Sequence, residues 1–174
     1  MLKTQPPDYK YCPFCRGDLA TREDDGLRRK HCVLCDWVYY PQVFISVAAV
    51  ILKNKKTLLV KRNREPYRNT WMFPGGFVEY GEHPLETLKK EILEETGLRM
   101  TKSNLLEMVQ TVDDPRAPGN LIFFYLVETL SGKVKTDKNE NSDIAWFDIT
   151  KPPKIGWKSH RKIMDLVKSK KYVS

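Results

Sequence analysis

The sequence predicts an α/β domain with a small metal-held module in front of it. Three observations carry this reading. All four cysteines fall within the first 40 residues, in two Cys-x-x-Cys pairs. Beyond residue 40, short runs rich in branched and aromatic residues have the length and pattern of strands. Between and after those runs, two segments place apolar residues at helical spacing, one ending at Gly97 and one over residues 157–171.

A chain of 174 residues can hold one full domain and an accessory module, expected here over residues 1–40 and 41–174. No apolar run has membrane-spanning length; the longest, residues 43–52, includes Ser46. The first seven residues lack the apolar core of a signal peptide. The expected setting is therefore cytoplasmic, with no membrane partner. The net charge of +8 suggests a polyanion at first sight. It is concentrated, however: residues 151–174 carry eight Lys/Arg against one Asp/Glu, while residues 41–150 carry fifteen of each. A solvated basic face is preferred there over a contact surface for RNA.

Cys12-Pro-Phe-Cys15 and Cys32-Val-Leu-Cys35 are separated by sixteen residues, which fits a Cys₄ zinc site. Four thiolates close the coordination sphere, so such a site is structural. Disulfides suit a cytoplasmic chain poorly, and a redox motif needs no second matched pair. Asp24-Asp25-Gly26 predicts a hairpin turn between the pairs, making a zinc ribbon. His31 reads as a surface residue. The aromatics of residues 36–41 read as packing between the two modules, with Pro41 opening the main domain.

In the main domain, residues 43–52 read as a strand buried on both faces, and 57–62 as its hairpin partner across a polar turn. Residues 64–69 form a loop and 70–74 a short extended stretch leading to Gly75-Gly76. Pro84 suits the first turn of a helix, Leu85, Leu88 and Ile92 form its apolar stripe, and Gly97 stops it. Strands are predicted over 105–112, 121–128 and 144–147. The closing helix turns Ile163, Met164, Leu166 and Val167 to the core. Phe123-Phe124-Tyr125 and Trp146-Phe147 sit inside strand patterns and read as core.

The first helix carries Glu91, Glu94 and Glu95. Residues three and four apart are neighbours on a helix surface, so these carboxylates project together and repel. A hard divalent cation relieves that repulsion, and Mg²⁺ is held by a few carboxylates together with substrate phosphates. The stretch 75–98 thus reads as a metal site facing a phosphorylated ligand. There the metal polarises the phosphoryl group and activates a water, while a carboxylate takes the proton.

This stretch resembles the Nudix box: Gly76, Glu82, Lys90-Glu91, Ile92, Glu94-Glu95, Gly97 and Leu98 stand at the family's positions, with Lys90 where the family has arginine. The cysteine module is similar to the zinc ribbon that precedes the domain in some members. The resemblance implies an α/β/α sandwich on a mixed sheet, hydrolysis of a nucleoside diphosphate linked to another moiety, and Mg²⁺ or Mn²⁺ as cofactor. It implies Glu91, Glu94 and Glu95 as metal ligands, the Gly76 carbonyl as a further ligand, and Glu82 as a contact to the metal shell or a brace for the helix. Lys90 supplies the charge of the family's arginine without its planar fork. The proton acceptor is Glu94 or Glu95, or else Glu140 in the polar run 137–141; the alternative for Glu140 is a solvated loop residue. A homodimer is an arrangement the resemblance allows.

For the substrate, the motif that follows the box in NADH pyrophosphatases of this family is absent: the region reads Thr111-Val112-Asp113-Asp114-Pro115-Arg116. Sixteen residues separate Pro115 from Leu98, as they do a proline in many ADP-ribose pyrophosphatases of the family. The expected substrate is ADP-ribose or a related nucleoside diphosphate sugar, ahead of an oxidised nucleotide of the 8-oxo-dGTP type or NADH. RNA-end processing, or regulation through nucleic-acid binding by the ribbon and basic tail, is the alternative of another class. Arg62, Arg64, Arg68 and Arg116 are candidate phosphate contacts, and Trp71 or Phe77 candidate base-stacking residues.

Overall fold

Asp25 and Gly26 take φ of 50° and 72°. A two-residue turn of that hand matches the twist of the strands it joins, and it pairs β1 (Leu19–Asp24) with β2 (Leu27–Cys32) in antiparallel register. The structure is a computed structural model that describes residues 8–135 and 140–169. Residues 1–7, 136–139 and 170–174, among them the predicted polar positions 137–139, lie outside the described residues. Contacts divide the chain after Gln42.

In the first unit each Cys-x-x-Cys turn is closed the same way. Cys12 N–H donates to the Gly17 carbonyl at 2.8 Å and Cys32 N–H to the Trp37 carbonyl at 2.7 Å. Arg16 and Asp36, each directly after the second cysteine of its pair, take φ of 63° and 55°. Trp37 and Tyr39 pack inside this unit, against Phe14 and Tyr9 respectively. His31 is half-buried rather than on the surface, because it bridges to Val38 from the middle of the ribbon.

In the second unit, β3 (Ile45–Lys53) turns through Asn54 and Lys55, at φ of 49° and 60°, into β4 (Lys56–Arg62). The two strands pair only beside this turn. They then part: β3 runs parallel with β7 (Leu121–Gly132), and β4 antiparallel with β8 (Asn141–Asp148). β5 (Trp71–Met72) pairs with β4, and β6 (Leu98–Gln110) pairs with β7. The sheet is mixed. β6 begins directly after Gly97, earlier than the predicted strand. Its first residues alternate buried Leu98 and Met100 with polar positions, a pattern too thin in apolar residues to register as a strand.

Strand β3 organises the layers because successive side chains leave opposite faces. Val47, Ala49 and Ile51 pack with Leu88 and Ile92 of α1 (Pro84–Thr96). Ala48 and Val50 pack with Ile163, Met164 and Val167 of α2 (Lys158–Ser169). One helix therefore lies on each face. All Lys and Arg of α2 are exposed, which agrees with a solvated basic face. Among the described residues no helix is long and apolar enough to cross a membrane.

Candidate active site

Where β3 and β4 part, the glycine loop takes the vacated edge of β3. Ala49 N–H donates to the Pro74 carbonyl, Val47 N–H to Gly76, and Val78 N–H to the Ile45 carbonyl, at 2.8–2.9 Å. At Gly75 the fit excludes a side chain, and at Gly76 one would displace the Glu91 carboxylate. A Cβ on Gly75 would lie 2.0 Å from the Val47 carbonyl oxygen, and one on Gly76 would lie 2.2 Å from Glu91 Oε1. The loop then enters α1 through His83, whose Nδ1 accepts from Leu85 N–H at 3.2 Å, followed by Pro84 in the first turn. Gly97, at φ 71°, ends the helix.

This placement brings three carboxylates together. Glu91, Glu95 and Glu140 can each offer an oxygen within 4.8 Å of the others. Glu95 is only 3% exposed; it accepts from Gly75 N–H at 2.7 Å and from Asn141 Nδ2 at 2.8 Å. Glu140 reaches the group from the start of β8 and pairs with Arg64 at 3.1 Å. Glu94 is exposed and lies outside this group. Glu82 accepts from Thr87 Oγ1 at 2.7 Å and pairs with Lys90 at 3.6 Å, which holds its carboxyl below the usual range. Lys90 thus braces the loop ahead of α1 with a single loose contact. All three convergent donors are oxygens, the set that hard divalent cations prefer.

Burial, with Glu140 and Glu94 nearby, pushes Glu91 up to about 7; burial pushes Glu95 up to about 8 against its hydrogen bonds. In the unfolded chain both carboxyls ionise near their ordinary value of 4.5. Between those values the folded state holds more protons, so this pair lowers stability as pH rises. In chelator, the melting temperature of Glu95→Gln relative to the unsubstituted protein is expected to climb from about pH 4.5 to about pH 8. A difference that is flat or falls with pH would show that Glu95 is not held protonated.

Beside this carboxylate cleft, of about 210 Å³, lies a smaller recess of about 60 Å³, and the two share Arg62, Met72, Gly75, Gly76 and Phe77. Arg62 is 6% exposed. Its Nε donates to the Pro66 carbonyl at 2.9 Å, and its guanidinium lies 5.4 Å from the Trp157 ring centre. Asp114 grips Arg116 through two side-chain bonds of 3.0 and 2.9 Å, holding its guanidinium 5.6 Å from both Phe77 and Trp157. Asp113 accepts from Tyr67 OH at 2.8 Å and from Lys158 N–H at 3.0 Å, fixing this loop to the start of α2. Among the arginines considered above, Arg62 and Arg64 line the carboxylate cleft and Arg116 the recess, while Arg68 is exposed and lines neither. Trp71 packs on Phe147, so Phe77 is the aromatic that faces both cavities. His160 was not singled out in the sequence. It accepts from Phe73 N–H at 3.1 Å, and burial drives its pKa down to about 3, so it lines the recess as a neutral ring.

In the first unit, Cys12, Cys15, Cys32 and Cys35 form the second convergent group. Their sulfurs are unbridged, with separations of 3.7, 3.3 and 3.5 Å for the pairs 12–35, 15–32 and 15–35. A tetrahedral ion with metal–sulfur bonds of about 2.3 Å spaces its sulfurs by about 3.8 Å. Burial raises the Cys32 thiol's pKa, but the N–H groups of Leu34 and Cys35 outweigh it and draw the value down to about 7. The four donors fit a thiolate-bound metal.

The model of the NUDIX domain matches residues 43–167. The chain belongs to the Nudix family. An ADP-ribose pyrophosphatase of Methanocaldococcus jannaschii is 33% identical over 128 residues, covering 72% of this chain and 74% of that protein. The NAD-capped RNA hydrolase NudC of Vibrio atlanticus is 27% identical over 149 residues, covering 84% of this chain but 52% of its own length. This Nudix chain thus spans about half the length of that relative. Among solved structures, a MutT NUDIX hydrolase from Burkholderia pseudomallei superposes with a TM-score of 0.68 at 26% identity, over 72% of this chain and 98% of that one.

Proposed function

We propose that the second unit, from about residue 41 onward, hydrolyses the pyrophosphate of a nucleoside diphosphate joined to a sugar, with ADP-ribose the preferred substrate. The convergence of Glu91, Glu95 and Glu140 on a cleft that also holds Arg62 and Arg64 carries this reading. The ADP-ribose pyrophosphatase relative supports the choice of substrate. Glu91, Glu94 and Glu95, with the Gly76 carbonyl, would hold Mg²⁺ or Mn²⁺. Such an ion neutralises pyrophosphate charge and makes a water acidic. Arg62 and Arg64 contact phosphate oxygens, Lys90 and Glu82 keep the loop and helix in place, and Glu140 takes the proton from the attacking water. The P–O–P bond breaks, and AMP and ribose 5-phosphate leave. The cysteine centre of the first unit holds Zn²⁺ in a structural role.

A panel of ADP-ribose, NADH, 8-oxo-dGTP and NAD-capped RNA, assayed with Mg²⁺, tests the reading. The expected result is the highest kcat/KM on ADP-ribose. A higher value on any of the other three would overturn the assignment of substrate.

A further inference from the structure

Asn141, the first residue of β8, is 2% exposed and donates from Nδ2 to Glu95 Oε1 at 2.8 Å. Its neighbour Glu140 stands one residue ahead of the strand, in a turn. Within a regular strand, successive side chains leave opposite faces. Here the turn lets both side chains reach Glu95. Asn141 does so by its hydrogen bond, and Glu140 by bringing a carboxylate oxygen within 4.8 Å of it. Glu95 also accepts from Gly75 N–H, through Oε2, at 2.7 Å. One buried carboxylate thus joins α1, the glycine loop and the start of β8.

The contacts of Glu140 itself are weaker. Its carboxylate pairs with Arg64 at 3.1 Å, but the two side chains are 42% and 57% exposed, and exposed ion pairs hold geometry poorly. Its carbonyl accepts from Asn63 N–H at a long 3.4 Å. The β4–β8 ladder also slips here: Lys61 faces Asp143 and Arg62 faces Asn141, so Ser142 is skipped. Such a bulge re-aims the chain beside it, and the bond from Asn141 to Glu95 is a buried contact that fixes the new direction. Without it Glu95 keeps its bond to Gly75, whereas Glu140 loses the anchor next to it. We infer that Asn141 is a positioning residue: by fastening the start of β8 to Glu95, it sets where the Glu140 carboxylate stands in the cleft. This rests on the proposed hydrolysis with Glu140 as proton acceptor and names the residue that places that acceptor.

In Asn141→Ala, assayed with Mg²⁺ and ADP-ribose, kcat is expected to fall about 10- to 100-fold while KM changes by less than about threefold. Ser142→Ala, at the exposed position that follows, is expected to keep full activity. The double variant Asn141→Ala, Glu140→Gln is expected to be no slower than Glu140→Gln alone, because a residue that acts through Glu140 then has nothing left to place. Two measurements need no turnover. Amide hydrogen exchange in Asn141→Ala is expected to quicken over residues 140–143 and to stay unchanged over α1. Mn²⁺ affinity, measured by calorimetry, is expected to hold; a partner that served only a metal ligand would lower it about 10- to 100-fold. Should Asn141→Ala fail to fold, Asn141→Ser makes the same comparisons. If the unsubstituted protein leaves ADP-ribose intact, the proposed reaction fails, and hydrogen exchange and Mn²⁺ affinity still decide the role of Asn141. Losses that multiply in the double variant, unchanged exchange at residues 140–143, or an Mn²⁺ affinity that falls along with kcat would overturn the inference.

Discussion

The Glu95→Gln protein is expected to lose Mg²⁺-dependent pyrophosphate hydrolysis by about 10³-fold, the scale of several kcal/mol of charge stabilisation. The change preserves shape but removes a charge at the centre of the carboxylate group. The glutamine oxygen can still accept from Gly75 N–H or Asn141 Nδ2, the two bonds that fix Glu95 now. Its fold should therefore survive, which a melting curve checks. Glu94→Gln is the informative control. Helical spacing alone ranks Glu94 with Glu91 and Glu95, but the structure puts it on the exposed side while Glu140 joins the cluster. A loss of only about tenfold for Glu94→Gln, with a larger loss for Glu140→Gln, is the expected pattern. If Glu94→Gln were as inactive as Glu95→Gln while Glu140→Gln kept full activity, the helix alone would build the centre.

Cys32→Ser should remove bound zinc and disorder the first unit while sparing the second. Cys32 is fully buried, and among the described residues of the first unit Cys12 and Cys32 are the only buried apolar side chains. Binding of structural zinc contributes on the order of 10 kcal/mol to the folding of such modules. Metal analysis of the unsubstituted protein is expected to give one zinc per chain, and the variant none. Limited proteolysis is expected to open residues 8–42 in the variant and to leave 43–169 intact. A variant that keeps its zinc, or that stays resistant before Gln42, would show that the cysteines do not hold this unit.

What could be seen in the sequence was whatever depends on local spacing. The paired cysteines, the carboxylates of α1, Pro84 and Gly97 at its ends, and the two-faced burial of β3 are all set by neighbours a few residues apart. What escaped depends on where distant segments meet. Glu140 reads as a candidate proton acceptor, but that it joins the carboxylates could not be seen: it lies 45 residues beyond Glu95 and reaches them only because β8 pairs with β4. Arg62 reads as a candidate phosphate contact, but its burial and its packing against Trp157 follow only from the fold. His83 and His160 were invisible for a similar reason. One caps a helix and the other anchors a strand, and histidine has no strong propensity for either task. The choice between core packing and ligand contact for Trp71 and Phe77 likewise needed the third dimension.

Asp113 ties Tyr67, the 111–120 loop and the first turn of α2 to one carboxylate oxygen. Loops beside ligand pockets often become ordered on binding and lose entropy in doing so. Here one carboxylate oxygen already holds these segments together. Association should accordingly behave as entry into a formed cavity, with a heat-capacity change set by the apolar area the ligand itself covers. Breaking the tie, for example with Asp113→Ala, would show up first as slower capture of the ligand.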